Sequence, residues 1–107
     1  MENYINYTAG GKRFSLSCHF AFDKESPESV AREVYSEISF DRDCKLKSGA
    51  IATTPPQEVL QKMSKEELKE WSKITDIEFY DYTSNKVIRA KHMSDLIEGS
   101  FKLESIG

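Results

Sequence analysis

The chain has 107 residues, of which 38% are hydrophobic and 31% are charged, and this balance predicts one globular domain rather than a disordered chain. The 15 basic and 18 acidic residues give a formal charge of −3, which argues against a strongly basic nucleic-acid-binding protein. No apolar run reaches the length of a membrane span, and the first residues do not resemble a signal peptide. We therefore expect a cytoplasmic protein without membrane association.

A β-hairpin is predicted at the start of the chain, around the glycine pair at positions 10–11. Paired glycines suit a two-residue primed turn, because both positions need a positive φ. This turn places Tyr7 opposite Phe14 on an apolar face, and it puts Tyr4 on the polar face. Apolar and polar residues then alternate over positions 13–22, which predicts a ten-residue second strand.

A helix is predicted to follow this hairpin. Ser26 can cap its N-terminus, and Pro27 suits the first helical position. An apolar stripe then recurs every four residues, at Val30, Val34 and Ile38. Beyond this helix, positions 45–56 contain glycine, threonine and two prolines, which indicates a flexible connection between two halves of the single domain 1–107.

Two further helical segments are predicted after this connection. The first begins near Pro56. The second begins at a capping box, in which Ser64 and Glu67 satisfy each other's backbone donors. Since these two segments can also form one continuous helix, the helices number two or three.

A second hairpin is predicted from strands at 77–82 and 87–92, because Asn85 tolerates a left-handed backbone in the turn between them. A two-residue turn sets the opposite pairs, which are Tyr82 with Val87, Tyr80 with Arg89, and Glu78 with Lys91. This register gives one cation–π pair and one pair of opposite charges. The reverse face is mostly apolar and carries Ile77, Phe79, Ile88 and Ala90.

A short turn at 94–97 and a strand near 100–103 complete the predicted order, β-β-α-α-α-β-β-(β). Hairpins grouped apart from helices are typical of the α+β class. The sequence thus predicts a small single domain, with a largely antiparallel sheet of two hairpins and a C-terminal strand packed against helices.

Catalytic motifs are absent from the sequence, which lacks the glycine-rich phosphate loops and the G-x-S-x-G nucleophile turn. Cys18 and His19 are adjacent in a predicted strand, so they point to opposite faces and cannot share a metal. We therefore expect no catalytic residue, no cofactor and no metal. The alternative that stays open is a small-molecule or nucleotide binder, or a small enzyme, with a pocket between sheet and helices near Cys44, His92 or His19.

The outward face of the second hairpin is the predicted partner-binding surface. Tyr80, Tyr82 and Arg89 are residue types enriched in interface hot spots, and Lys91 and Glu78 would form the polar rim. Single-stranded nucleic acid could also stack on such a face, but the acidic rim residue and the negative net charge argue against it. An unpaired sheet edge could in addition accept a second copy of the chain.

The hypothesis that follows is a small non-enzymatic adaptor or inhibitor that acts by occupying the surface of a partner protein. Phage- or mobile-element-encoded inhibitors and immunity proteins are small proteins of this kind.

A local resemblance suggests a second binding mode. The segments Phe20-Ala21-Phe22-Asp23 and Pro27-Glu28-Ser29-Val30-Ala31-Arg32-Glu33 resemble part of the CCT domain of WNK-type kinases and of the kinases they activate. That domain binds short Arg-Phe-x-Val peptides between a strand and a helix. The resemblance covers about 15 residues, and the connecting loop is shorter here. It implies a short-peptide groove in which Phe20 lines the wall and Glu33 pairs with the peptide arginine.

Overall fold

The computed structural model describes residues 3–22, 26–48, 62 and 64–106. Their elements run in the order β1 (Asn3–Ala9), β2 (Lys12–Cys18), α1 (Pro27–Ser48), α2 (Lys65–Ser72), β3 (Ile74–Asp81), β4 (Lys86–His92), α3 (Met93–Glu98) and β5 (Lys102–Ser105). The strands form one antiparallel sheet in the order β2-β1-β3-β4-β5, so the α+β class and the two hairpins are confirmed.

The first hairpin has the predicted register. Tyr7 lies opposite Phe14, and Tyr4 lies opposite Ser17 on the other face. Gly10 and Gly11 have φ angles of 59° and 74°, as a primed turn requires. The turn thereby sorts the apolar side chains of both strands onto one face.

The second strand is shorter than the predicted span of 13–22, because β2 ends at Cys18. Cys18 pairs with Asn3, the first described residue of the chain, so β1 as described offers no further backbone partner. Beyond Cys18, hydrogen bonds to side chains hold the backbone in place. Asn3 Nδ2 donates to the carbonyl of Phe20 over 2.9 Å, and the Phe22 amide donates to the carboxylate of Asp81 over 2.8 Å.

The register of the second hairpin differs from the prediction by two residues. Tyr80 lies opposite Val87 and Glu78 opposite Arg89, while Tyr82 belongs to the turn. The turn spans four residues because the carboxylate of Asp81 accepts hydrogen bonds from the amides of Thr83 and Ser84 within it. The predicted pairs of Tyr80 with Arg89, Glu78 with Lys91 and Tyr82 with Val87 are therefore wrong. A shift of two residues keeps every side chain on its predicted face.

Helix α1 covers one face of the sheet. The Ser29 amide donates to Ser26 Oγ over 3.2 Å, which is the predicted cap. The apolar stripe of α1 belongs to the same buried cluster as the inward side chains of β1 to β4 and Leu96 of α3. The members with no exposed surface are Ile5, Tyr7, Val30, Ala31, Val34, Ile38, Phe79 and Ile88.

The segment between α1 and α2 is described only in part. Helix α1 continues to Ser48, so the first four residues of the predicted connection 45–56 are helical. The rest of that connection and the start of the helix predicted near Pro56 lie outside the described residues. At α2 the Glu67 amide donates to Ser64 Oγ over 3.2 Å, which is one half of the predicted capping box.

The end of the chain contains a helix and a strand. Helix α3 replaces the predicted turn at 94–97, and the last strand lies at 102–105 instead of 100–103. None of the helices within the described ranges is both long enough and apolar enough to cross a membrane.

Candidate functional site

The face of the sheet that points away from α1 is the candidate site, and we call it the open face. Side chains alternate between the two faces of a strand, so the strand residues of the buried cluster define the covered face and their neighbours define the open face. The open face carries Tyr4, Asn6, Thr8, Arg13, Ser15, Ser17, Asp76, Glu78, Tyr80, Arg89, Lys91, Lys102 and Glu104 together with the buried Val87, and Tyr82 lies at its border.

Three tyrosines form a cluster at one end of the open face. The ring of Tyr82 stacks on Tyr80 at 6.0 Å and meets the edge of Tyr4 at 6.3 Å. The Tyr82 amide donates to Asn3 Oδ1 over 3.1 Å, which ties the turn to β1. Tyr4 is 39% exposed and Tyr82 is 45% exposed, so the tyrosine cluster offers aromatic surface to a partner.

A row of alternating charges crosses the sheet beside the tyrosine cluster. Arg13 of β2 reaches across β1 to Glu78 of β3, which also accepts a hydrogen bond from Arg89 of β4. Arg89 Nε lies 3.4 Å from Glu104 Oε2 on β5. Exposed ion pairs contribute little to stability, but together they hold these side chains in defined positions.

The tyrosine cluster and the charge row are joined at Tyr80. Its hydroxyl donates to Glu78 Oε2 over 2.9 Å, and the Arg89 guanidinium lies 5.8 Å from the centre of its ring. Burial and the hydrogen bond to Glu78 raise the pKa of Tyr80, so the hydroxyl remains a donor at neutral pH. Aromatic and charged groups thus form one continuous surface.

An open groove of about 600 Å³ runs along the charged part of this surface. Basic and acidic side chains from four strands line it, together with Asp95 of α3 and Ser100. Within the groove, Lys91 Nζ donates to Asp76 Oδ1 over 2.8 Å, and this bond holds the pKa of Asp76 below its usual value. The groove therefore carries charges of both signs rather than a single strong field.

The residues predicted from the sequence, Tyr80, Tyr82, Arg89, Lys91 and Glu78, all lie on or at the border of the open face. Tyr80 and Arg89 are in contact as predicted, although they are diagonal neighbours on adjacent strands rather than directly opposite residues. Lys91 bonds to Asp76 instead of Glu78.

Two residues of this surface were missed by sequence reasoning, Tyr4 and Arg13. Strand alternation already put both on the polar face of the first hairpin. Only the pairing of β1 with β3 brings them to Tyr82 and Glu78.

The residues implied by the resemblance to the CCT domain line a second, smaller depression. Phe20 and Glu33 border a space of about 280 Å³ between the end of β2 and α1, together with Arg32, Ser36 and Glu37. The ring of Phe20 stacks on Phe79 at 5.1 Å, which fixes the apolar wall. A wall with an aromatic ring and two carboxylates can accept a peptide with a basic side chain.

The cysteine and histidine residues do not gather at either depression. Cys18 is buried, Cys44 is exposed, and the linings of both depressions contain neither these residues nor His19 or His92. Within the described ranges, no three His, Cys, Asp or Glu side chains are grouped as metal ligands.

Comparison of the chain with protein-family models, with curated proteins and with solved structures finds no match.

Proposed function

We propose that this protein is a non-enzymatic binding module that acts as an adaptor or inhibitor by covering the surface of a partner protein with its open face. The observation that carries the proposal is the cluster of Tyr4, Tyr80 and Tyr82 on the open face, in which Tyr4 and Tyr82 are exposed and Tyr80 is half-buried. Tyrosine supplies a large, rigid contact area together with a hydrogen-bonding group. Arg89 adds a third hot-spot residue type beside it.

The charges of the groove favour a protein over a nucleic acid as the partner. Asp76, Glu78 and Glu104 line the groove together with its basic residues. A phosphate backbone would be repelled by these carboxylates, whereas a protein surface with both signs of charge can complement them.

Photo-crosslinking tests this proposal. We expect a chain with a benzoylphenylalanine at position 82 to capture a discrete partner from an extract of the cells that encode it. The matched control places the same group at Phe40, which is 70% exposed on α1. Equal capture by both chains would contradict the proposal.

A double variant then tests the individual residues. We expect Tyr80→Ala/Arg89→Ala to weaken binding of the captured partner at least about 100-fold, because it removes two hot-spot side chains. Phe40→Ala should leave the affinity unchanged. If the double variant binds as well as the wild type, the open face is not the binding surface.

The depression at Phe20 and Glu33 supports a second candidate, the binding of a short basic peptide. A fluorescent Arg-Phe-x-Val peptide is the probe, and Glu33→Gln should reduce its affinity about tenfold, since a charge-assisted hydrogen bond is lost. Binding that is unaffected by Glu33→Gln would exclude this mode.

A further inference from the structure

Strand β5 forms one edge of the sheet. No other strand among the described residues pairs with its outer side. Strand β5 lies last in the sheet order and bonds to β4 alone. Its four side chains are all exposed, including Leu103 at 42%. An unpaired edge can accept a further strand, and the side chains of the edge strand decide which strand fits it.

The hydrogen bonds of β5 determine which of its backbone groups are directed outward. The Ile106 amide donates to the carbonyl of Asn85 over 3.1 Å, in register with the pairing of β4 and β5. In an antiparallel ladder, successive residues direct their N–H and C=O groups alternately to one neighbour and to the other. Lys102 and Glu104 therefore bond towards β4, and Leu103 directs its N–H and C=O groups away from it.

We propose that two copies of this chain pair through β5, antiparallel and about a two-fold axis at Leu103. Each Leu103 would donate its N–H to the Leu103 carbonyl of the other copy, which forms a closely hydrogen-bonded pair. Lys102 would then lie opposite Glu104 of the second copy, and the two-fold axis repeats this pair. These pairs have no backbone bonds between them, so their side chains approach more closely.

Charge complementarity is the argument for a second copy at this edge. The alternation Lys102-Leu103-Glu104 is self-complementary only in this register, with two ion pairs on the open face and two leucines on the other face. Glu104 already contacts Arg89, so it would join the charge rows of both copies.

The opposite edge of the sheet lacks this complementarity. Strand β2 carries Lys12 and Arg13 but no acidic residue, so its self-pairing would gain no ion pair. The proposal for β5 therefore does not extend to β2, and it does not depend on the proposed function of the open face.

Such a dimer would be weak and concentration-dependent. An interface of four-residue strands is smaller than that of stable dimers, so we expect a dissociation constant of about 100 μM. The product would be one continuous ten-stranded sheet, in which the two open faces lie side by side.

Charge exchange at positions 102 and 104, followed by sedimentation equilibrium, tests the proposal. Lys102→Glu makes both facing positions acidic, and Glu104→Lys makes both basic, so each variant should weaken the dimer about tenfold or more. The double variant Lys102→Glu/Glu104→Lys restores opposite charges and should dimerise like the wild type. An equimolar mixture of the two single variants should form a heterodimer for the same reason.

Controls separate this interface from other causes. Lys12→Glu changes the charge equally on the β2 edge and should leave the dimer unchanged, and circular dichroism checks that every variant is folded. A wild-type chain that stays monomeric at millimolar concentration overturns the proposal. A dimer that persists in both single variants also overturns the proposal. Loss of the dimer in Ser15→Pro would overturn it as well, because it would assign the contact to β2.

Discussion

Asp81 connects two parts of the backbone that are remote in sequence. Its buried carboxylate accepts hydrogen bonds from the Phe22 amide, from the amides of Thr83 and Ser84, and from the Ser84 hydroxyl. Burial opposes the ionisation of Asp81, but these four hydrogen bonds outweigh it and lower the pKa. A single acidic residue thus fixes both the second turn and the segment after β2.

We expect Asp81→Asn to lower the free energy of unfolding by about 2 kcal/mol near neutral pH, because an amide cannot accept all these bonds. The contribution of the ionised carboxylate is fully present above the ordinary aspartate pKa of 3.8 and is lost as the pH falls through the lower folded-state value. Urea unfolding should therefore show a smaller difference between wild type and variant at about pH 2 than near neutral pH. Glu98→Gln is the exposed control, and a pH-independent difference for Asp81→Asn would contradict this account.

The two cysteines should differ sharply in reactivity. Burial raises the pKa of Cys18 to about 12, and the negative charges of Glu37, Asp81 and Glu33 add to this effect. At pH 8 only about one Cys18 thiol in ten thousand is then ionised, whereas Cys44 is exposed. Ellman's reagent should titrate one thiol rapidly in the native protein and two after unfolding. Rapid reaction of the Cys44→Ser variant would show that Cys18 is accessible.

The two hairpins show which features of an element a sequence can determine. The predicted register of the first hairpin is correct because the adjacent Gly10 and Gly11 favour a two-residue primed turn. The predicted register of the second hairpin is two residues out, because its turn length depends on the buried carboxylate of Asp81. The alternation of inward and outward side chains still predicts the outward residues correctly. A register shift of two residues leaves every side chain on the same face of the sheet.

The turn of the second hairpin should be sensitive to substitution at Asn85, which has a φ of 60°. We expect Asn85→Val to lower the free energy of unfolding by about 1–2 kcal/mol, because a branched side chain disfavours this left-handed backbone. Asn85→Gly should be neutral within about 0.5 kcal/mol, since glycine adopts this conformation readily. Chemical denaturation of the three chains measures the difference, and equal losses for both variants would indicate that the Asn85 side chain, rather than its backbone, stabilises the turn.

The candidate site depends on pairing between strands that are distant in the sequence. Strand β1 lies between β2 and β3, and this brings Tyr4 to Tyr82 and Arg13 to Glu78. The two hairpins could be predicted separately, but their order in the sheet leaves no local pattern in the sequence. The outward residues of each hairpin could therefore be predicted, but their assembly into one face could not.

A single core should make α1 and the sheet unfold together. Ile38 has no exposed surface and belongs to the buried cluster shared by α1 and the strands, whereas Phe40, two residues away, is 70% exposed. We expect Ile38→Ala to lower the free energy of unfolding by about 3 kcal/mol, and Phe40→Ala to change it by less than about 0.5 kcal/mol. Native-state hydrogen exchange should show the Ile38→Ala loss at the amides of both β1 and β3, because these strands open only when the shared core opens. If protection falls in α1 alone while the strands keep theirs, the helix is a separate cooperative unit and the sheet holds itself together without it.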